Sequence, residues 1–198
     1  MQLMENYPAC EYLLVLEPHE ALRNTITEIK KSFAEKFEHP PAAYSKPHIT
    51  LARFRQYELA EQRIVARLKP LIAASDSFLV ELEDYGSFPT HTIYINVKTK
   101  TQLTTLVKSM RPLQRLMKMN EEHKPHFITE PHLTIARKLL PWQYEKGWLE
   151  YSHGHFSGKF MAEQVLLLRK RLHEKRYETA YRFQLLHERQ ETVQATLF

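Results

Sequence analysis

The stretch Pro47-His48-Ile49-Thr50-Leu51-Ala52-Arg53 occurs a second time, slightly altered, as Pro131-His132-Leu133-Thr134-Ile135-Ala136-Arg137. Five of the seven positions are identical, and the other two exchange one branched apolar residue for another. The two histidines are 84 residues apart (132 − 48), so each copy lies in its own half of the 198-residue chain. The repeat predicts two similar lobes, each containing one copy.

Each copy alternates polar and apolar residues, which is the pattern of a strand with one buried face. Two such strands facing each other would bring His48, Thr50, His132 and Thr134 into one cleft. An imidazole can take or give a proton, and a threonine hydroxyl can donate to a phosphate oxygen. The set therefore suits metal-free acid–base chemistry on a phosphate. The alternative is that the repeat reflects only a structural duplication.

The paired motifs resemble those of the 2H phosphoesterase superfamily, named for two His-x-Thr/Ser motifs, and within it the 2′-5′ RNA ligase-like and cyclic phosphodiesterase branch. The resemblance includes an opening apolar strand, Tyr12 to Leu16, and a closing hairpin with a tyrosine, Tyr177. It implies a bilobal α+β fold with a pseudo-two-fold axis. Each lobe would have a mostly antiparallel sheet flanked by helices, and the lobes would enclose a central groove. It also implies hydrolysis of a cyclic phosphodiester without a metal.

We predict that His48, Thr50, His132 and Thr134 are the catalytic residues. One neutral histidine would activate water, and the other, protonated, would give its proton to the departing ribose oxygen. An ordinary imidazole pKa of about 6.5 lets both forms coexist near neutral pH. The residues leave the assignment of the two roles open, and the resemblance gives the acid role to the second histidine, with a 2′-phosphate as product.

Four other residues are candidates for substrate binding. Tyr44 and Trp142 lie next to prolines in predicted loops and could stack on a base. Arg53 and Arg137 end the two motifs. Strict alternation places both arginines on the face opposite the histidines, so a phosphate contact would require a bulge or a strand end.

Composition restricts the remaining possibilities. The net charge of +5 and the pI of about 9.2 favour an anionic partner. The single cysteine, Cys10, excludes an internal disulfide and is typical of a reducing compartment. We see no signal peptide and no apolar run of the ~18 residues that a membrane helix needs. We therefore expect a soluble, cytoplasmic protein with an anionic partner such as a nucleotide or RNA, and we expect it to be a monomer. The resemblance implies that this partner has a cyclic phosphate end.

The sequence shows no motif for a cofactor or a metal. It lacks a glycine-rich phosphate loop, a dinucleotide fingerprint and the lysine motif of an ATP-dependent ligase. His153 and His155 flank a glycine, but no carboxylate or cysteine follows at the short spacing that zinc sites use. We expect no cofactor and no bound metal.

A chain of 198 residues can form one domain or two small lobes that share a core, and the resemblance implies one bilobal domain over residues 1–198. Residues 188–198 have no clear partner and are predicted to form a loose tail. Hydrophobic periodicity indicates the helices. Three helices are expected, at Glu20 to Phe37, Glu58 to Ile72 and Thr101 to Met119. Pro70 should end or bend the second helix, and Pro112 should kink the third or divide it into two helical pieces. A hairpin is expected from Phe78 to Tyr85 and Thr92 to Val97, and a second one closes the chain.

Two other functions remain open at this stage. The same four residues could serve a phosphodiesterase or ligase for 2′-5′ linked oligonucleotides or for an ADP-ribose cyclic phosphate. The groove could also belong to an RNA-binding module without turnover. The basic run Arg169 to Arg176 is either a solvated hairpin turn or a rail for phosphates beside the groove.

Overall fold

The structure is a computed structural model that describes residues 7–187, and the predicted tail, residues 188–198, lies outside this range. The described residues form nine strands and six α-helices. The strands are β1 (Ala9–Leu16), β2 (Ile49–Tyr57), β3 (Phe78–Phe88), β4 (Thr92–Val97), β5 (His126–Phe127), β6 (His132–Arg137), β7 (Ser157–Ala162), β8 (Gln164–Arg171) and β9 (Glu178–Gln184). The helices are α1 (Glu20–Lys36), α2 (Pro41–Tyr44), α3 (Glu61–Ala73), α4 (Lys100–Met110), α5 (Gln114–Met117) and α6 (Pro141–Tyr151).

The strands form one antiparallel sheet in the order β7-β3-β4-β6-β2-β1-β8-β9, with β5 paired to β2. The two motif strands, β2 and β6, are neighbours at its centre. On one side β2 continues into β1, β8 and β9, and on the other β6 continues into β4, β3 and β7. The sheet thus consists of two lobes that meet at the repeated motif, as predicted, and the fold class is α+β.

One face of the sheet carries the main hydrophobic core. Tyr12 and Phe54, from neighbouring strands, stack with ring centroids 5.0 Å apart inside it. Helix α1 adds a buried stripe that includes Ile26 and Phe33, spaced as a helix face requires. The cluster contains residues of both lobes, among them Leu133. The motif strands therefore have apolar side chains fixed in the core, which leaves their polar side chains on the other face.

The helices depart from prediction at Pro70 but not at Pro112. Helix α3 does not end at Pro70 but continues to Ala73, where Ile72 and Ala73 pack into the core. The predicted third helix does break near Pro112, because α4 ends at Met110 and a 3-10 turn follows. Strand β3 also continues through the predicted turn to Phe88. None of the helices within residues 7–187 is both long enough and apolar enough to span a bilayer.

Candidate active site

The central strands β2 and β6 pair at one position, where Ile49 lies opposite Leu133. These residues occupy equivalent places in the repeat, so the pseudo-two-fold axis passes between them. One residue further along the antiparallel register in each direction, His48 comes opposite Thr134, and Thr50 comes opposite His132. Continued in this way, the register puts the histidine of each copy next to the threonine of the other copy on one face of the sheet.

Both imidazoles are oriented in the same way. Nδ1 of His48 lies 2.8 Å from the carbonyl oxygen of Lys46, and Nδ1 of His132 lies 2.8 Å from that of Glu130. A carbonyl only accepts, so Nδ1–H is the donor in each pair. The hydrogen bond at Nδ1 fixes the tautomer of each neutral ring, so Nε2 is the nitrogen that remains for proton transfer.

The surroundings lower the pKa of both histidines. Burial is the largest cause at His48, and the positive charges of Lys30 and Arg137 add to it, so its pKa falls to about 4 even though the Lys46 carbonyl opposes the change. Burial also lowers the pKa of His132, where the Glu130 carbonyl and carboxylate oppose it. The surroundings thus favour the neutral form of both rings, unlike the pair of unperturbed imidazoles assumed from sequence.

Two aromatic side chains lie beside His132, whereas none of those in residues 7–187 stacks in this way on His48. The ring of Phe88 stands edge-on to the imidazole at a centroid distance of 4.9 Å, and the Tyr94 ring lies at 5.0 Å. Gly86, opposite Tyr94 in the sheet, leaves the space that this ring needs, because a Cβ there would lie 2.5 Å from it. The second-lobe half of the groove therefore has aromatic walls.

The arginines that end the motifs lie on the histidine face, contrary to strict alternation. The register of β2 against β1 skips Leu51, and the register of β6 against β4 skips Ile135. These two bulges occupy equivalent positions of the repeat. Each bulge places an extra residue in the strand and so reverses the faces of those that follow. As a result Arg53 and Arg137 are exposed while the alanine before each is buried.

The two arginines have different partners. Nη2 of Arg53 lies 2.6 Å from Oε1 of Glu11, a buried carboxylate on β1. Within residues 7–187 no ion pair joins Arg137 to a carboxylate, although its charge acts on the pKa of His48 and of Tyr177. Arg137 is thus the better placed of the two to bind an anion in the groove.

The basic run Arg169 to Arg176 begins inside β8, where its side chains alternate between the two faces of the sheet. Arg169 and Arg171 both bind Glu58, at 2.9 and 3.0 Å, on the side away from the groove. Lys170 points the other way, with Nζ 5.0 Å from the centre of the Tyr177 ring and 3.8 Å from Glu11. Since the two arginines are held by carboxylates, they are not arranged as a rail for phosphates.

The structure does not connect the predicted aromatic contacts with the four central residues. Tyr44 ends α2 with 82 % of its surface exposed, and Trp142 lies near the start of α6 with the Lys146 ammonium 5.6 Å from its ring. Among the described residues neither ring contacts a motif histidine. Their role in substrate binding stays a prediction.

Sequence reasoning missed Lys30, Phe88 and Tyr94. Lys30 could have been found, because it lies on the apolar face of the first helix, four residues after Ile26 and three before Phe33. Nothing in the sequence placed Phe88 and Tyr94 beside His132. Across residues 7–187 no cluster of three or more histidine, cysteine or acidic side chains forms a candidate metal site. Cys10 is buried, and burial raises the pKa of its thiol.

Comparison with solved structures agrees with this fold. LigT of E. coli, crystallised with 3′-AMP, superposes with a TM-score of 0.61 at 16% identity, over 90% of this chain and 98% of that one. TT0787 of Thermus thermophilus gives 0.64 at 18% identity, over 90% and 100% of the two chains. A third structure, described only as a phosphoesterase, gives 0.56 at 15% identity, over 88% and 98%.

At these identities the likeness concerns the fold alone. No curated protein matches the chain. The model of the 2′-5′ RNA ligase superfamily matches residues 18–174, which include both motifs and most of both lobes. The chain therefore belongs to the 2′-5′ RNA ligase superfamily of 2H phosphoesterases.

Proposed function

We propose that this protein is a metal-independent phosphodiesterase that opens a cyclic phosphodiester. Its substrate would be the 2′,3′-cyclic phosphate of RNA or of a nucleotide, and its product a 2′-phosphate. The observation that carries the proposal is the pair of imidazoles with Nδ1 bound to a carbonyl, placed about a pseudo-two-fold axis opposite two hydroxyls. Membership of the superfamily supports an enzyme that acts on phosphodiester bonds.

The reaction needs one proton acceptor and one proton donor. Nε2 of His48, the ring whose pKa is lowered to about 4, takes a proton from water as the water oxygen forms a bond to phosphorus. The bond from phosphorus to the ribose 3′ oxygen breaks, and Nε2–H of His132 gives that oxygen its proton. The negative charge of the substrate favours the protonated form of His132 that this step needs, because a bound phosphate stabilises an imidazolium.

The remaining groups hold the non-bridging oxygens. The hydroxyls of Thr50 and Thr134 donate to them, and the guanidinium of Arg137 balances the charge that develops as water attacks. A nucleotide is a suitable occupant, since LigT, which shares the fold, has been crystallised with 3′-AMP, ATP and NADP+.

The test is hydrolysis of a 2′,3′-cyclic nucleotide in excess EDTA by the wild type, His48→Ala and His132→Ala. We expect turnover that survives chelation and falls by about 10²–10⁴-fold in each variant. His173→Ala, in the exposed turn between β8 and β9, is the matched control and should keep full activity. A reaction that needs added metal, or that survives both motif substitutions, would contradict the proposal.

A wild type without turnover on the nucleotide would direct attention to larger substrates. A panel of 2′-5′ linked oligonucleotides, an ADP-ribose cyclic phosphate and RNA with a cyclic end then separates a different phosphodiesterase from a binding module. The enzyme would cleave one member of the panel in a His48-dependent way. A binding module would retain the cyclic-ended RNA unchanged.

A further inference from the structure

Lys30 is a buried cation beside the motif strands. Only 2 % of its surface is exposed, and Nζ donates to Oγ of Ser45 at 2.8 Å and to the carbonyl oxygen of Thr134 at 3.2 Å. In the part of the chain that the structure describes, no carboxylate forms an ion pair with it. A buried ammonium without a carboxylate is costly, so its position requires an explanation.

The position of Lys30 relates it to one histidine in particular. The carbonyl that it binds belongs to Thr134, the residue that comes opposite His48 when the central register is continued. Arg137, three residues further along the same strand, is the other cation close to His48. Among residues 7–187 no carboxylate forms an ion pair with His48, and after burial the groups that act most on its pKa are the Lys46 carbonyl, Lys30, Arg137 and His132.

The corresponding helix of the second lobe, within the part of the chain that the structure describes, has no equivalent of this lysine. Helix α4, which precedes the second motif as α1 precedes the first, buries only apolar residues, namely Leu103, Leu106, Val107 and Met110. The repeat is also asymmetric two residues before each histidine, where Lys46 corresponds to Glu130. The Glu130 carboxylate favours the protonated form of His132. The charges that act on the two rings are therefore of opposite sign.

We infer that Lys30 is a positioning residue that keeps the His48 imidazole neutral and proton-accepting, and thereby gives the two histidines of a symmetric site different roles. Its ammonium disfavours the protonated form of His48, because the charge of a buried group is screened little by water. It also fixes the end of the central pairing by holding the Thr134 carbonyl. The inference rests on the proposed function only where it assigns the base role; the charge effect itself is independent of turnover.

The direct test is an NMR titration of the imidazole resonances in the wild type and in Lys30→Gln, which removes the charge but keeps a donor for Thr134. We expect the pKa of His48 to rise by about half a unit or more. The pKa of His132 should hardly change, and it serves as an internal reference. Lys31→Gln, the same change on the exposed side of α1, is the matched control and should move neither ring.

The outcomes for Lys30 and for the proposed function are distinguishable. An unchanged His48 pKa in folded Lys30→Gln, or equal shifts of both rings, would overturn the inference and leave the proposed function intact. If the wild type is active, the acid limb of the kcat/KM profile should lie at higher pH in Lys30→Gln, by the same amount as the shift in the His48 pKa. A wild type that turns over no member of the substrate panel would overturn the proposed function but would not affect the NMR result.

A second measurement covers the case in which Lys30→Gln fails to fold. The titration of the Lys30 side chain in the wild type, followed at its ε carbon, should give a pKa of about 8, because burial and the charge of Arg137 both disfavour the ammonium. An ordinary lysine pKa of about 10.5 would mean that water solvates the charge, and the inference would fail.

Discussion

Ile49 and Leu133, 84 positions apart in the chain (133 − 49), lie directly opposite each other where the two lobes of the sheet meet. Both side chains are fully buried. The histidine and threonine of each copy flank the paired residue, so the four motif side chains are arranged around this contact. The candidate active site therefore lies at the interface of the two lobes.

Truncating this contact should cost activity as well as stability. We expect Ile49→Ala to lower the free energy of unfolding by about 2–5 kcal/mol, as for other buried residues of this size. It should also lower kcat/KM at least tenfold at a temperature where the variant is fully folded, because His48 is its neighbour. Ile64→Ala, equally buried but in α3, is the control for stability alone. Equal activities of the two variants would contradict this argument.

The repeat made the centre of the site predictable. The seven-residue match fixed which strands carry the histidines, and alternation showed that His48 and Thr50 share a face. Alternation failed at Arg53 because a bulge is a local event that a period of two cannot represent. The signal was nevertheless present, since Leu51 and Ala52 are two apolar residues in succession where alternation expects one.

Other parts of the structure depended on tertiary contacts. Phe88 and Tyr94 reach His132 only because β4 pairs with β6 and β3 pairs with β4, which no short window of sequence contains. Pro70 does not end α3, since the burial of Ile72 in the next turn outweighs the local cost of proline. Local propensity is a weak guide where a core contact opposes it.

The pH dependence of the reaction should reflect the lowered histidine pKa values. His48 must be neutral and His132 protonated, so kcat/KM should peak above about 4 and below the ordinary imidazole pKa of 6.5. The kcat profile should peak at higher pH, because a bound phosphate favours both imidazolium forms. A rate that is flat from about pH 5 to 9, or a kcat/KM maximum above about pH 7.5, would contradict the assignment.

The two motif arginines should differ in importance. Arg137→Ala should lower kcat/KM by about 10–100-fold and weaken inhibition by inorganic phosphate, because its charge has no carboxylate partner within residues 7–187. Arg53→Ala should cost less than about tenfold, since Glu11 already neutralises that guanidinium. Equal losses in the two variants would mean that Glu11 releases Arg53 when substrate binds.

Substitution of Gly86 tests the role of the aromatic side chains beside His132, Phe88 and Tyr94. A Cβ at this position would lie 2.5 Å from Oδ1 of Asn96 and from the Tyr94 ring, so Gly86→Ala must displace one of them. We expect a loss of about 1–3 kcal/mol in stability and a fall in kcat/KM of about tenfold or more. Gly154→Ala, whose Cβ would lie 3.2 Å from the Tyr85 ring, is the control away from the site.

The stability of the fold should fall in acid partly because of His48. In the unfolded chain this ring takes up a proton below about pH 6.5, but in the folded protein only below about 4. The unfolded state thus binds more protons between these values, so the contribution is fully present above pH 6.5 and is lost as the pH falls to about 4. The difference corresponds to at most about 3 kcal/mol.

Urea unfolding at pH 7 and at pH 4.5 measures this contribution when the wild type is compared with His48→Gln. The variant lacks the titrating group, so its free energy of unfolding should fall less between the two pH values, by about 1–3 kcal/mol. His173→Gln, exposed in the turn after β8, controls for the loss of any histidine and should behave like the wild type. An equal acid sensitivity of all three proteins would show that water reaches His48 freely in the folded state.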